Sequence, residues 1–274
     1  MRIITAGQIT EQIKAAVLDA NRRLPQDITG AIKAARQTET SDWGCHFLDI
    51  INENTQVAAR DNLPLCQDTG LVTVEVEIGQ EVHIQDGFIS DAINEGVRQG
   101  YREGYFRASI VRDPLRRVNT GDNTPAIISY QLVPGDRLLI QVMPKGGGSE
   151  NMGRAAMLKP AAGWKGIKEF VINAVEEAGS NPCPPLVIGV GIGGNMALAG
   201  QLAKHALLRP INSQHPDPEW AEREKELLQA VNATGVGPQG FGGNTTALGL
   251  HIETYPTHIA CLPVAVNLGC HVTR

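Results

Sequence analysis

The chain has 274 residues, of which 42% are hydrophobic and 19% charged, which is the composition of an ordinary globular protein with a real core. Its 24 basic and 29 acidic residues give a formal net charge of −5, which argues against nucleic acid or an anionic membrane as the main partner. No stretch approaches ~18 consecutive apolar residues, and the N-terminal segment has no continuous apolar core, so neither a membrane span nor an export signal is predicted.

The N-terminal part of the chain has the periodicity of helices. Ile9, Ile13 and Val17 recur at helical spacing, and Thr5 followed by Gln8 has the form of a capping box that starts the first helix. Further helices are predicted over residues 28–35, from about residue 41 onward, and over residues 90–101, 164–177, 196–207 and 217–233.

Strands are predicted where the apolar period changes to two. Val72, Val74 and Val76 alternate with polar residues directly after the sequence CQDTG. Residues 127–132 and 138–143 are predicted to form a strand pair joined by a Pro-Gly-Asp turn. Shorter strands are predicted over residues 186–190 and 248–252.

Helices and strands follow one another without strict βαβ alternation, which predicts a mixed α/β (α+β) fold. The whole chain, residues 1–274, is expected to form one domain that consists of two lobes with the site between them. The segment 210–218 contains three prolines and is the predicted linker between the lobes.

Three of the five cysteines lie in widely separated turns bounded by Pro or Gly. Cys66 lies in PLCQDTG, Cys183 in NPCPP and Cys270 in NLGC, and no pair has the spacing of a zinc knuckle or a thioredoxin motif. Two interpretations stay open: an iron–sulfur cluster that the fold assembles, with one iron left to bind substrate, or three unrelated buried thiols. Without an export signal, reduced or metal-bound cysteines and a cytoplasmic location are expected.

Glycine-rich segments are a second group of candidates. In CQDTG, Gln67 and Asp68 follow the cysteine and either face a ligand of the metal or only shape a turn. KGGGSEN is either an anion-binding nest or a flexible turn. Residues 189–194 match G-x-G-x-x-G, but no acidic residue follows at the end of a second strand, so a tight strand-to-helix turn is favoured over a dinucleotide site.

Two further residues are candidates because of their positions. His258 lies twelve residues before Cys270 and is either structural or catalytic. Arg107 is one of several arginines between residues 98 and 117, and a carboxylate substrate would need at least one of them, because Arg binds carboxylates bidentately.

Together these motifs resemble the iron–sulfur class of fumarate hydratases and the related tartrate dehydratases. The resemblance is carried in chain order by PLCQDTG, VNTGDNTPA, KGGGSEN, NPCPP, GPQGFGGNT and CLPVAVNLGC, and it extends over nearly the whole chain. The chain looks like the α subunit of a two-subunit enzyme, or the N-terminal part of the single-chain form.

The resemblance implies a site and a cofactor. A [4Fe–4S] cluster would bind to the chain, and its fourth iron would bind a small hydroxy dicarboxylate. Cys45 and Cys261 have no ligand counterpart in the family. The implied roles are metal ligation by Cys66, Cys183 and Cys270, substrate contact by Gln67, Arg107 and Gly148, and proton transfer by Asp68 and His258.

The resemblance also implies an activity and a partner. The expected reaction is the reversible hydration of fumarate to malate, and residues 149–151 look more like a fumarase than a tartrate dehydratase. Tartrate dehydration is the alternative within the class, and a non-catalytic metal-binding subunit is the alternative from another class. Nothing in the chain looks like the family's β part, so a β subunit and a heteromeric oligomer are expected, and that subunit is the alternative source of the catalytic base.

Overall fold

A computed structural model describes residues 1–273 of the chain, and it confirms the mixed α/β (α+β) fold. No helix in this part of the chain is both long and apolar enough to cross a bilayer. The helices are α1 (Ala6–Arg22), α2 (Gln26–Thr38), α3 (Asp42–Asp61), α4 (Ile89–Glu103), α5 (Gly147–Glu150), α6 (Gly163–Ala178), α7 (Met196–Ala206) and α8 (Pro218–Asn232). The strands are β1 (Arg2–Thr5), β2 (Leu71–Gly79), β3 (Val82–Gln85), β4 (Ile127–Val133), β5 (Leu138–Lys145), β6 (Arg154–Leu158), β7 (Leu186–Gly194), β8 (Ala247–Thr257) and β9 (Leu262–Gly269).

The chain divides into two compact units, each with its own hydrophobic core. The first unit contains Met1–Leu24 and Gln56–Gly147, and the second contains Pro25–Thr55 and Gly148–Thr273. The segment 210–218, which was expected to be a linker, lies inside the second unit between α7 and α8.

In the first unit, α1 and α4 pack against a three-stranded sheet of order β4-β2-β5. The apolar stripe of α1, formed by Ile9, Ile13 and Val17, is fully buried. The predicted capping box is confirmed: the Gln8 backbone N–H donates to the Thr5 hydroxyl at 3.2 Å, and the Thr5 N–H donates to the Gln8 side chain at 2.9 Å. Local sequence thus fixes where this helix begins.

The predicted pairing of β4 with β5 is wrong, because β2 lies between them. β2 pairs in parallel with β4 and antiparallel with β5. The alternating valines of β2 are at most 1% exposed, so this strand takes the central position, where both of its backbone edges are hydrogen-bonded. The Pro-Gly-Asp turn passes around the end of β2, where the Gln80 N–H donates to Val133 O and the Glu81 N–H to Gly135 O, both at 2.9 Å.

In the second unit, a four-stranded sheet of order β6-β9-β7-β8 lies between helices. Residues Ile188 and Val190 of β7 face the core that contains α6 and α8, and the alternate residues face α7. A Cβ on Gly191 would lie 2.0 Å from the Ala199 carbonyl oxygen of α7, so a side chain there would push the helix away. The glycine run is therefore mainly strand, and the predicted tight turn is confined to its end, where Gly193 and Gly194 have φ of 98° and 64°.

Candidate active site

Three of the family-like motifs meet at one end of the β4-β2-β5 sheet. CQDTG precedes β2, VNTGDNTPA precedes β4, and KGGGSEN follows β5. Because β4 is parallel to β2 and β5 is antiparallel, the starts of β2 and β4 lie beside the end of β5, with Leu71 paired to Lys145 and Thr73 to Ile127. The strand order thus gathers three segments that are distant in sequence.

The CQDTG turn is organised by the carboxylate of Asp68. Its Oδ1 accepts the Gly70 N–H at 3.0 Å, and its Oδ2 accepts the Gly147 N–H at 2.8 Å. The Asp68 N–H in turn donates to the Cys66 sulfur at 3.4 Å, and the Cys66 thiol lies 3.3 Å from Gln67 Oε1. The glycine segment that was predicted to approach a small anion is therefore already bonded to a carboxylate of the chain.

Buried polar side chains connect this turn to the segment that carries Arg107. The Thr69 hydroxyl donates to the Arg107 carbonyl at 2.9 Å. Asn123, which is fully buried, accepts the Ser109 N–H at 2.7 Å and donates to the Gly70 carbonyl at 3.0 Å. The structure therefore brings the Arg107 segment to the turn that carries Gln67 and Asp68.

A second arginine of the same region is held by acidic residues. Arg98 donates to Asp122 at 2.9 Å and also bonds Glu95. Partial burial would raise the pKa of Asp122, but hydrogen bonds from Arg98 and Thr124 outweigh this effect and lower the pKa to about 2. Since Arg98 binds two carboxylates of the chain, it is less suited than Arg107 to bind a substrate carboxylate.

The other three motifs meet at one end of the second sheet. NPCPP precedes β7, GPQGFGGNT precedes β8, and Cys270 directly follows β9. β7 is parallel to β8 and antiparallel to β9, so Leu186 lies opposite Ala247 and Val187 opposite Gly269. The antiparallel pair brings the turns of Cys183 and Cys270 together.

Hydrogen bonds join these turns directly. His271, the residue after Cys270, places its Nδ1 2.9 Å from the Cys183 carbonyl oxygen, and its backbone N–H donates to the same oxygen at 3.4 Å. Gln239 of the GPQG sequence donates to the Pro184 carbonyl from both its backbone N–H, at 2.8 Å, and its side-chain Nε2, at 2.7 Å. Gly148 also lies beside the Cys183 turn, since a Cβ on it would lie 3.2 Å from the Asn181 oxygen.

His258 is not among these groups. It follows β8 and precedes β9, whereas Cys270 follows β9, so the two residues lie beyond opposite ends of an eight-residue strand. At ~3.3 Å per residue, that strand spans about 26 Å. The short separation in sequence had suggested proximity, which was wrong because the intervening residues are extended, and the catalytic role of His258 stays a prediction.

The cysteines suit an iron–sulfur cluster by chemistry and exposure. All five lie among the described residues and none forms a disulfide; Cys183 is exposed, whereas Cys66 and Cys270 are partly exposed. Thiolates on separate turns are the usual ligands of such clusters. Among residues 1–273 no three His, Cys, Asp or Glu side chains are already grouped as ligands of one metal ion, and the ligand set stays a prediction.

The GGNTT turn is held by an internal acid. Glu39 is 6% exposed, and its carboxylate accepts the backbone N–H groups of Thr40, Ser41, Asn244 and Thr245 at 2.9–3.0 Å. Burial would raise the pKa of Glu39, but the bonds from Ser41 and Asn244 outweigh it, so the pKa lies below its usual value. Glu39 therefore fixes the conformation of this glycine turn.

Comparison with known proteins identifies the family. A family model described as fumarate hydratase (Fumerase) matches residues 10–274. The chain belongs to this fumarate hydratase family. Over 273 residues it is 40% identical to the putative L(+)-tartrate dehydratase subunit alpha of Methanocaldococcus jannaschii, with 97% of this chain and 95% of that protein covered. Over 272 residues it is 33% identical to the L(+)-tartrate dehydratase subunit alpha of Escherichia coli strain K12, with 98% and 89% covered.

The resemblance inferred from the six motifs is thus confirmed, and with it the hydro-lyase class. Sequence reasoning did not single out the supporting residues of this fumarate hydratase-family chain, namely Asn123, Gln239 and His271. Each lies inside or directly beside a quoted motif, and Asn123 and Gln239 have φ of 59° and 55°, which is a turn conformation that the surrounding Gly and Pro residues could have indicated.

Proposed function

We propose that the chain is the α subunit of an iron–sulfur hydro-lyase that interconverts fumarate and malate. The observation that supports this most is the grouping of the six motifs at two sheet ends, one sheet end in each unit. A structural role for the motifs would not require cysteine, carboxylate and arginine segments to gather there.

In this proposal Cys66, Cys183 and Cys270 hold a [4Fe–4S] cluster. When bound, the cluster supplies an open iron that acts as a Lewis acid toward a hydroxyl group. The exposure of Cys183 and the bond from the His271 N–H to its carbonyl support its role as a ligand. Gly148, which lies beside that turn, offers its backbone N–H to the substrate.

The remaining residues bind substrate and move its protons. Arg107 binds one substrate carboxylate, and Gln67 contacts the hydroxyl end. In the direction of dehydration, Asp68 accepts the proton from the carbon adjacent to the one that bears the hydroxyl, and the hydroxyl leaves as water after the second member of the acid–base pair protonates it; hydration reverses both transfers. Because His258 lies beyond the far end of β9, we expect His258→Asn to lower kcat much less than Asp68→Asn.

L(+)-tartrate is the second candidate substrate. The relatives at 33–40% identity are named tartrate dehydratase α subunits. Glu150, part of the segment that had suggested a fumarase, binds Lys204 at 2.5–2.7 Å, so this residue supports the fold rather than a choice of substrate.

The α-subunit names of the relatives support a β subunit as partner. That subunit would supply basic and hydroxyl groups for the second end of the dicarboxylate, and the second member of the acid–base pair. A heteromeric oligomer in the cytoplasm follows from this proposal, and the location stays a prediction.

The test is an anaerobic assay of the chain, alone and with its β partner, against malate and L(+)-tartrate. The proposal expects iron and sulfide in the chain, turnover only with the partner, and faster turnover of malate. Preference for tartrate would replace the substrate assignment. A chain that binds iron but supports no turnover of either acid with its partner would favour a non-catalytic metal-binding subunit.

A further inference from the structure

The turn that carries Cys183 has little intrinsic stability. Cys183 has φ of 54°, a left-handed conformation that non-glycine residues rarely adopt, and its side chain is exposed. Such a conformation persists only where surrounding groups fix it. The direction of the thiolate is therefore set by whatever holds the backbone on either side of Cys183.

Two side chains hold it from outside the turn. Gln239 bonds the Pro184 carbonyl twice, and His271 bonds the Cys183 carbonyl through Nδ1. Gly240, next to Gln239, also lies against the start of the turn, since a Cβ on it would lie 2.5 Å from the Ser180 Cβ. The carbonyls of Cys183 and Pro184 thus each accept a hydrogen bond from a side chain outside the turn.

The acceptor fixes the protonation of the His271 ring. A carbonyl oxygen only accepts hydrogen bonds, so in the tautomer that bonds Cys183 the His271 Nδ1 carries the proton. The Gln239 Nε2, 3.2 Å from the same nitrogen, then cannot donate to it and directs its hydrogen to Pro184. In this arrangement His271 bonds the Cys183 carbonyl and Gln239 bonds the Pro184 carbonyl.

We propose that Gln239 and His271 are positioning residues that orient the Cys183 thiolate for cluster binding, and that His271 also keeps Cys270 in register with Cys183. The inference rests on the proposed function, because it requires a cluster on these cysteines. Residues that orient metal ligands typically change metal affinity or activity ~10- to 100-fold when they are removed.

The experiment measures how fast a chelator removes iron from the anaerobic holoenzyme, with its β partner present, by loss of visible absorbance. Gln239→Ala and His271→Ala are expected to release iron about 10-fold faster than the unmodified protein, and to change the electron paramagnetic resonance signal of the reduced cluster. His271→Asn is expected to restore slow release, because its amide can replace the Nδ1–H donor. Gln229→Ala, on the exposed side of α8, is the matched control and should release iron at the unmodified rate.

The outcomes separate this inference from the proposed function. If the unmodified holoenzyme contains no iron and sulfide, both are overturned. If it contains the cluster but both alanine variants release iron at its rate, the positioning role is overturned and the proposed function stands. If Gln239→Ala does not fold, the histidine variants decide: equal release rates for His271→Ala and His271→Asn would overturn the inference.

Discussion

At the scale of single residues, the five cysteines divide into two groups. Replacing Cys66, Cys183 or Cys270 by Ser should remove the visible absorbance of the cluster, since an iron would lose its thiolate. Cys45 and Cys261 are the matched controls: the Cys45 thiol donates to the Glu39 carbonyl at 3.3 Å inside the fold, and Cys261 lies near His258. Their Ala variants should keep normal iron content. Normal iron and sulfide in Cys183→Ser would show that the wrong ligand was chosen.

Glu39 gives a prediction about stability. Glu39→Gln keeps the size of the side chain but replaces charge-assisted bonds by neutral ones and introduces two donors among backbone N–H groups. We expect the free energy of unfolding to fall by about 2 kcal/mol, measured by denaturant titration at neutral pH. Glu53→Gln on the exposed face of α3 should change it by less than about 0.5 kcal/mol. Equal effects of the two variants would contradict the role of Glu39.

His251 gives a prediction about pH. It is 2% exposed, and neither ring nitrogen has a hydrogen-bond partner among the described residues. Burial lowers the pKa of His251 from 6.5 to about 4. The positive charge of Arg209 adds to this effect, and the negative charges of Glu224 and Asp27 oppose it. Between these pH values the unfolded chain binds a proton that the folded chain does not, so stability should fall as the pH drops from 6.5 toward 4.

The measurement is the free energy of unfolding at a series of pH values. His251 contributes a slope of at most about 1.4 kcal/mol per pH unit, and none above its unfolded pKa. His251→Phe should remove this part of the slope, while the contribution of carboxylates such as Asp122 remains at lower pH. An unchanged slope in the variant would show that His251 is not the group that titrates.

At the scale of elements, the ends of the strands carry the candidate site. Asn123→Ala removes both the bond to Gly70 and the bond to Ser109, and so loosens the Arg107 segment against the turn of Asp68. We expect KM for the dicarboxylate to rise about 10-fold with a smaller change in kcat, because the variant affects binding more than proton transfer. Leu115→Ala, whose side chain is 90% exposed in the same loop, serves as the comparison. A fall in kcat alone would contradict a binding role for this segment.

How far the elements follow from the sequence depends on how local their causes are. The start of α1 was predictable because Thr5 and Gln8 cap it within one turn of helix. The order β4-β2-β5 was not predictable, because it depends on which of the three strands is buried most deeply. The pairing of the short strands β1 and β3 was not predictable either, because about eighty residues of chain separate them. The glycines of β7 were predicted to form a turn, but most of them lie in the strand. They are needed there because α7 packs close to the strand, and such a tertiary contact cannot be read from the local sequence.

At the scale of the whole molecule, the reactive residues of the candidate site could be predicted from the sequence. The residues that hold the surrounding backbone in place could not. The cysteines, Asp68 and Arg107 could be proposed because their residue types carry reactivity and because their motifs resemble those of the family. Gln239 and His271 act through backbone carbonyls, which any donor could in principle bond, so residue type alone does not mark them. Spacing in sequence was a poor guide for His258, because an extended strand separates positions that a compact loop would have kept close.

The length of strand β9 allows the position of the cluster to be tested by a distance measurement. The loop before it contains Ile259, whose side chain is 92% exposed, and the strand leads from this loop to Cys270. A nitroxide label attached at position 259 would sit roughly 25 Å from Cys270, at the far end of a hydrogen-bonded sheet that holds the spacing. Distance measurement between that label and the paramagnetic reduced cluster should give a single narrow distribution near this value. A much shorter distance would mean that the metal is held elsewhere than at the end of β9.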